Sequence, residues 1–149
     1  MATTGRCLCG GVQYAFEGLP LWVAYCHCES CRRHTSSPVA AFVGVRRVDL
    51  TMAGRLRRFE STPGIQRTSC ESCGSPISYE AEARFPGEVH LYLGTLDRPA
   101  DMVPTAHVHT DEQLPWFELL DHLPRFAGSG SAGGAAPVSY GPQNKNAAP

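Results

Sequence analysis

Seven cysteines in a chain of 149 residues carry the clearest chemical signal in this sequence. They form three clusters: Cys7-Leu8-Cys9, Cys26-His27-Cys28-Glu29-Ser30-Cys31 and Cys70-Glu71-Ser72-Cys73. The first and last are short pairs, each followed directly by glycine, at Gly10-Gly11 and Gly74. A tight turn aims both sulfurs of such a pair at one ion, and glycine tolerates the positive φ needed where the chain curls around a metal. Cys7, Cys9, Cys70 and Cys73 together make a closed tetrahedral zinc site that ties the N-terminal strand to the middle of the chain. Two other readings stay open: reduced cysteines acting as small buried hydrophobes, and an iron-sulfur cluster, which colour would reveal.

The middle cluster differs because it has three cysteines and no fourth to close it. Cys28 and Cys31 stand three apart on a predicted helical turn and share a face, while Cys26 approaches from a strand. His27 either completes the site or points away as a neighbouring polar group. An open coordination position separates catalytic from structural zinc. Three thiolates leave the centre with a net charge near ~−1, which makes it a weak generator of hydroxide. That donor set suits an incoming thiol as fourth ligand, so the expected chemistry is attack or departure of sulfur at a carbon electrophile.

Arg32, Arg33 and His34 follow this cluster directly. The guanidinium groups could offset its negative charge or hold a substrate carboxylate, and His34 could move a proton; solvated side chains are the plain alternative. Arg46, Arg47, Arg55, Arg57 and Arg58 form a second basic region, read as a solvated sheet face before a nucleic-acid surface. His107 and His109 would share one face of an extended segment, as core or hydrogen-bonded histidines or as metal ligands. Trp116 and Phe117 are expected to close the core or line a pocket wall.

The elements that must position these residues are mostly strands. Val12, Tyr14 and Phe16 alternate, as do Val39, Ala41, Val43 and Val45, then Val89, Leu91 and Leu93. Further strands are expected over Arg55–Glu60 and Ser75–Tyr79. Short helices are expected over Glu29–His34 and around Trp116–Leu120, where Pro115 suits a first helical position. The fold class is therefore mainly β, with antiparallel sheets and short helical segments. Residues 1–126 read as one domain. From 127 to 149 the chain is Gly, Ala, Ser, Pro and Asn with almost no large apolar residue, and a flexible tail is expected. The net charge of −1 gives no bulk attraction to polyanions. Met1–Arg6 holds no apolar run and no membrane-length segment is seen, so a soluble cytoplasmic protein is expected, in whose reducing surroundings clustered cysteines bind metal.

With the three clusters in order, the chain resembles the glutathione-dependent formaldehyde-activating enzyme family, which includes centromere protein V. The matching text is Gly5-Arg-Cys-Leu-Cys-Gly-Gly-Val-Gln-Tyr14, Cys26-His-Cys-Glu-Ser-Cys-Arg-Arg33 and Cys70-Glu-Ser-Cys-Gly-Ser-Pro76, followed by His107 and Pro115-Trp116. The likeness runs from about Gly5 to Phe126. It implies a β-tent fold, a structural zinc on Cys7, Cys9, Cys70 and Cys73, and a catalytic zinc on Cys26, Cys28 and Cys31. The implied activity is carbon–sulfur lyase chemistry on glutathione adducts of a small electrophile such as an aldehyde. One position departs: similar sequences often carry glycine where this chain has Ser36, a side chain that would bear on how closely a thiol approaches. The competing expectations are a zinc-stabilised binding module that uses its arginine surface and a redox switch built on the three-cysteine cluster. Homo-oligomers are compatible with all three.

Overall fold

The computed structural model describes residues 1–129 and the backbone of 137–138. In chain order the elements are β1 (Thr3–Arg6), β2 (Gln13–Phe16), β3 (Trp22–Cys26), α1 (Glu29–Thr35), β4 (Ala40–Arg46), β5 (Leu50–Ala53), β6 (Leu56–Thr62), β7 (Ile65–Cys70), β8 (Pro76–Glu80), β9 (Glu88–Tyr92), β10 (His107–Val108), β11 (Arg125–Phe126) and β12 (Pro137–Val138). The fold is mainly β with one short α-helix. Apart from the pair in β12, the tail expected over 127–149 lies from residue 130 onward outside the described residues. No helix among the described residues is long and apolar enough to cross a membrane.

Two compact units interleave along the sequence, one of Met1–Val23 and Phe42–Val103, the other of Ala24–Ala41 and Pro104–Pro149. The first unit contains a three-stranded antiparallel sheet in the order β1-β2-β5 and an antiparallel ladder in the order β4-β9-β8-β7-β6. Its core takes Val12, Tyr14, Phe16, Val43, Val45, Val89 and Leu91 from the alternating runs and adds Ile77, while Val39 and Ala41 are only half-buried. β4 and β9 go further than a one-faced pattern. Phe42 and Gly44 are buried beside Val43 and Val45, and His90 and Tyr92 are buried beside Val89 and Leu91. Both faces of these strands are covered, as in the interior of a sheet. Gly44 is dictated by this packing, because a Cβ there would run into the Trp22 indole.

In the second unit β10 lies between β3 and β11 and runs parallel to both, pairing His107 with Tyr25, Val108 with Cys26 and His107 with Arg125. These parallel pairs occur in a fold whose other ladders are antiparallel among the described residues, in keeping with the mainly antiparallel pattern expected. Helix α1 forms where the sequence places it. The Cys28 sulfur caps it by accepting the Cys31 N–H, Glu29 sits in its first turn and Arg32, Arg33 and His34 in its last, each on the side the helix dipole favours. Ser36 ends it in the left-handed conformation, φ 52°, with its N–H on the Arg32 carbonyl. A glycine is the natural residue for that backbone. The Ser36 side chain is exposed.

The helix expected around Trp116–Leu120 does not form. A further turn would need the Asp121 N–H on the Phe117 carbonyl. Instead the Gln113 side-chain amide donates to that carbonyl at 2.8 Å, and the Asp121 N–H goes to Leu119 O at 3.1 Å. Trp116 and Leu120, which would share a helical face, are 71% and 82% exposed, so no buried stripe supports a helix there. Trp116 therefore does not close the core.

Candidate metal centres

Two knuckles build the four-cysteine group in the first unit. Before β2 the chain folds back so that Cys7 N–H meets Val12 O at 3.0 Å and Gly10 N–H meets Cys7 O at 3.1 Å. After β7 the Gly74 N–H reaches Cys70 O at 2.9 Å. Gly10 and Gly74 hold φ of 78° and 77°, the conformation expected for the glycine after each pair. Backbone N–H groups point at sulfur, Val12 at Cys7 (3.2 Å) and Gly11 at Cys9 (3.4 Å), which is how a thiolate is satisfied in a metal knuckle. Cys7 and Cys9 sulfurs lie 3.5 Å apart and Cys9 and Cys70 sulfurs 3.8 Å, and all four donors fall within 4.8 Å of one another. Four thiolates at ~2.3 Å from a tetrahedral zinc would stand about 3.8 Å apart, so the group fits that ion.

The charges agree. The Gly11 N–H favours the Cys9 thiolate, yet neighbouring Cys7 and Cys73 outweigh it and push that thiol up to about 11. Hydrogen bonds from the Ser75 side chain and backbone hold Cys73 down, at about 5. Sulfurs this crowded share protons unless a cation offsets them.

The three-cysteine group stands in the second unit, where β3 leads into α1. Cys26 and Cys31 are buried, with sulfurs 3.6 Å apart, and Cys28 lies 2.7 Å from Cys31, closer than a tetrahedral edge. All three sulfurs fall within 4.8 Å of one another. Hydrogen bonds from Cys26 and Cys31 hold the Cys28 thiol down to about 2, and the Cys31 N–H at the helix start and nearby His109 act in the same direction. Those bonds run the other way for Cys26, which they push far up with help from burial. All seven cysteines are free thiols.

His27 does not join the cluster. Its ring is fully buried and its Nε2 lies 2.9 Å from His107 Nδ1. His107, also fully buried, contacts Asp121 through Nε2 at 2.9 Å, and burial lowers the pKa of both histidines, His27 to about 3. His109 does not share a face with His107, because its own backbone turns left-handed, φ 54°, as β10 ends. It gathers instead with exposed Asp111 and Glu112.

Arg32 folds back on the site's framework, with Nε donating to His27 O at 3.1 Å and Nη2 to Glu112 O at 3.2 Å. Arg33 is exposed and donates to Glu29 Oε1 at 2.8 Å, and His34 is half-buried in the last turn of α1. In the other basic region Arg46 meets Asp49, Arg47 and Arg58 meet Glu80, and Arg55 meets Glu71, so carboxylates intersperse that surface. Asp121, Gln113 and Glu112 escaped the sequence reading. Nothing in their local spacing marks them; pairing of β10 with β3 goes with Asp121 on His107 and the Glu112 carbonyl on Arg32, while Gln113 bonds the Phe117 carbonyl.

A mainly β architecture carries one four-thiol and one three-thiol cluster, each able to hold a metal ion. Residues 2–112 match the family described as glutathione-dependent formaldehyde-activating enzyme, and the chain belongs to that family. It is 27% identical over 75 residues to an uncharacterized lyase of Schizosaccharomyces pombe, a match over 50% of this chain and 55% of the relative, so the chain spans about half the length of that curated relative. A crystal structure of a Rhodobacter sphaeroides protein shares the fold, with a TM-score of 0.54, 23% identity and coverage of 68% of this chain and 97% of that one.

Proposed function

We propose that this protein is a zinc-dependent enzyme that makes or breaks a carbon–sulfur bond in the glutathione adduct of a small electrophile such as an aldehyde. It would hold two zinc ions, one structural on Cys7, Cys9, Cys70 and Cys73 and one catalytic on Cys26, Cys28 and Cys31. The observation that carries this reading is the three-thiol group, in which no fourth donor joins the convergent sulfurs among the described residues. Zinc there would supply a position for a substrate sulfur and favour its thiolate form. Family membership and the lyase name of the yeast relative support the same class of reaction.

The chain's own residues prepare the site. Cys28 serves as ligand from a helix N-terminus whose N–H groups favour its thiolate. Arg33, exposed and paired with Glu29, can exchange that partner for a glutathione carboxylate. Arg32 has two donors on backbone carbonyls and holds the knuckle beside the 3-10 turn Thr110–Glu112. His34 closes the same helical turn and is assigned here to substrate contact. Free thiols throughout suit a reducing compartment such as the cytoplasm.

Cobalt substitution tests the proposal. Two metal ions per chain are expected, and adding glutathione should change the sulfur-to-cobalt charge-transfer bands of one while leaving the other. A spectrum indifferent to glutathione and to other thiols would rule the reading out.

A further inference from the structure

From the buried polar chain behind the three-cysteine group we infer that Asp121 and His107 are positioning residues, which act through His27 to aim the sulfurs of Cys26 and Cys28. This rests on reading Cys26, Cys28 and Cys31 as metal ligands, and not on the choice of substrate.

The hydrogen-bond directions follow from donor chemistry alone. An ionised carboxylate only accepts, so Asp121, at 2.9 Å and 3.1 Å from His107 Nε2, takes its hydrogen from that nitrogen. His107 Nδ1 then carries a lone pair, and His27 Nε2, 2.9 Å away, donates to it. One carboxylate thereby sets the tautomer and ring orientation of two histidines in series. Asp121 is itself braced by the Leu123 N–H at 3.1 Å. Burial disfavours its charge, but the hydrogen bond from His107 outweighs that and keeps its carboxyl below the usual range. The far end of the chain is His27 Nδ1, which is buried and has no hydrogen-bond partner among the described residues.

His27 is also held at both ends of its backbone. Its N–H donates to Val108 O at 3.1 Å and its carbonyl accepts from Arg32 Nε at 3.1 Å. Its ring lies edge to edge with His107, at 26° and with centroids 5.2 Å apart, as their shared hydrogen bond requires, and the His107 ring stacks on Tyr25 at 4.9 Å. A residue fixed at N–H, carbonyl and ring cannot rotate, and both neighbours of His27 are ligands. The Cα–Cβ directions of Cys26 and Cys28 are therefore set by a chain that begins at Asp121. A residue needed only to fill the core would be apolar; two buried histidines in series are costly unless their directional bonds are used.

The test is a competitive cobalt titration of the full chain, without substrate. Asp121→Ala should weaken the three-cysteine centre tenfold or more, as loss of an outer-shell partner does, and shift its ligand-field bands. The four-cysteine centre in the same molecule should keep its affinity and its spectrum. Asp121→Asn, whose amide oxygen still accepts from His107, should stay within about threefold of the parent. Should Asp121→Ala fail to fold, Asp121→Ser, polar but too short to reach the ring, carries the same comparison. The inference is overturned if the truncation leaves the three-cysteine centre unchanged, if Asp121→Asn is as damaging as truncation, or if both centres weaken equally. Because metal affinity is read without thiol, a failure here leaves the thiol-adduct reading standing, and a missing glutathione response leaves this one.

Discussion

Cys28 holds two posts at once: it caps α1 through its sulfur and gives that sulfur to the three-thiol group. The duties separate by substitution. Serine is a good N-cap but a poor soft-metal ligand, so Cys28→Ser should abolish carbon–sulfur chemistry while α1 persists. Cys28→Ala loses the cap as well and should be less stable than the serine variant by ~1 kcal/mol in chemical denaturation. Cys31→Ser should likewise end turnover in a protein that still folds. Cys73→Ser should behave differently, because Cys70 and Cys73 join a knuckle to one 61 residues earlier. Loss of that clip should lower the thermal midpoint and the metal stoichiometry together, and equal stability of the Cys31 and Cys73 variants would contradict the division of labour.

Among the elements, α1 ends on a residue its backbone does not favour. Ser36→Gly at φ 52° should stabilise the protein by about 1 kcal/mol, visible as a thermal midpoint raised by a few degrees. β2, β4, β6, β8 and β9 stand where strands were expected, β2, β4 and β9 on their apolar alternation. β7 was not legible, because its sequence hides its burial. Arg67 is a buried strand residue there, donating to Tyr92 Oη and Ser61 Oγ at 3.2 Å each with its guanidinium over the Tyr79 ring, and buried Thr68 meets Ser78 at 2.7 Å. Polar residues buried by cross-strand bonds leave no hydrophobic period. The cysteine groups were legible because each pair or triplet is local in sequence and flanked by its own turn or helix. Asp121 was not, since its link to His27 depends on strand pairing between distant segments, and Pro115 ahead of Trp116–Leu120 suggested a helix that Gln113 prevents by taking the needed carbonyl.

For the molecule as a whole, acid should be destabilising before any ligand thiolate is considered. His90 is packed against Trp22 (4.5 Å), Phe85 (4.7 Å) and Tyr79 (5.3 Å), and burial lowers its pKa to about 4 although Glu88 favours its charged form. The unfolded chain takes up this proton near ~6.5, so above that pH the group is neutral in both states. As pH falls from 6.5 towards 4 the unfolded state binds the proton first, and His90 alone should remove at most ~1.4 kcal/mol of stability per pH unit. Urea titrations across that window should show the slope, and His90→Gln should make it shallower, with buried His27 and His107 supplying the remainder.

The interleaving of the two units has a consequence for how the protein is made. Cys26, Cys28 and Cys31 leave the ribosome almost together, so a nascent chain can capture an ion early. His107, 80 residues after His27, and Asp121, 14 after His107, emerge much later. If the three-cysteine group holds an ion, translation would separate loading from alignment: one stretch of chain would gather the ion, and His107 and Asp121 would arrive only later to orient its ligands.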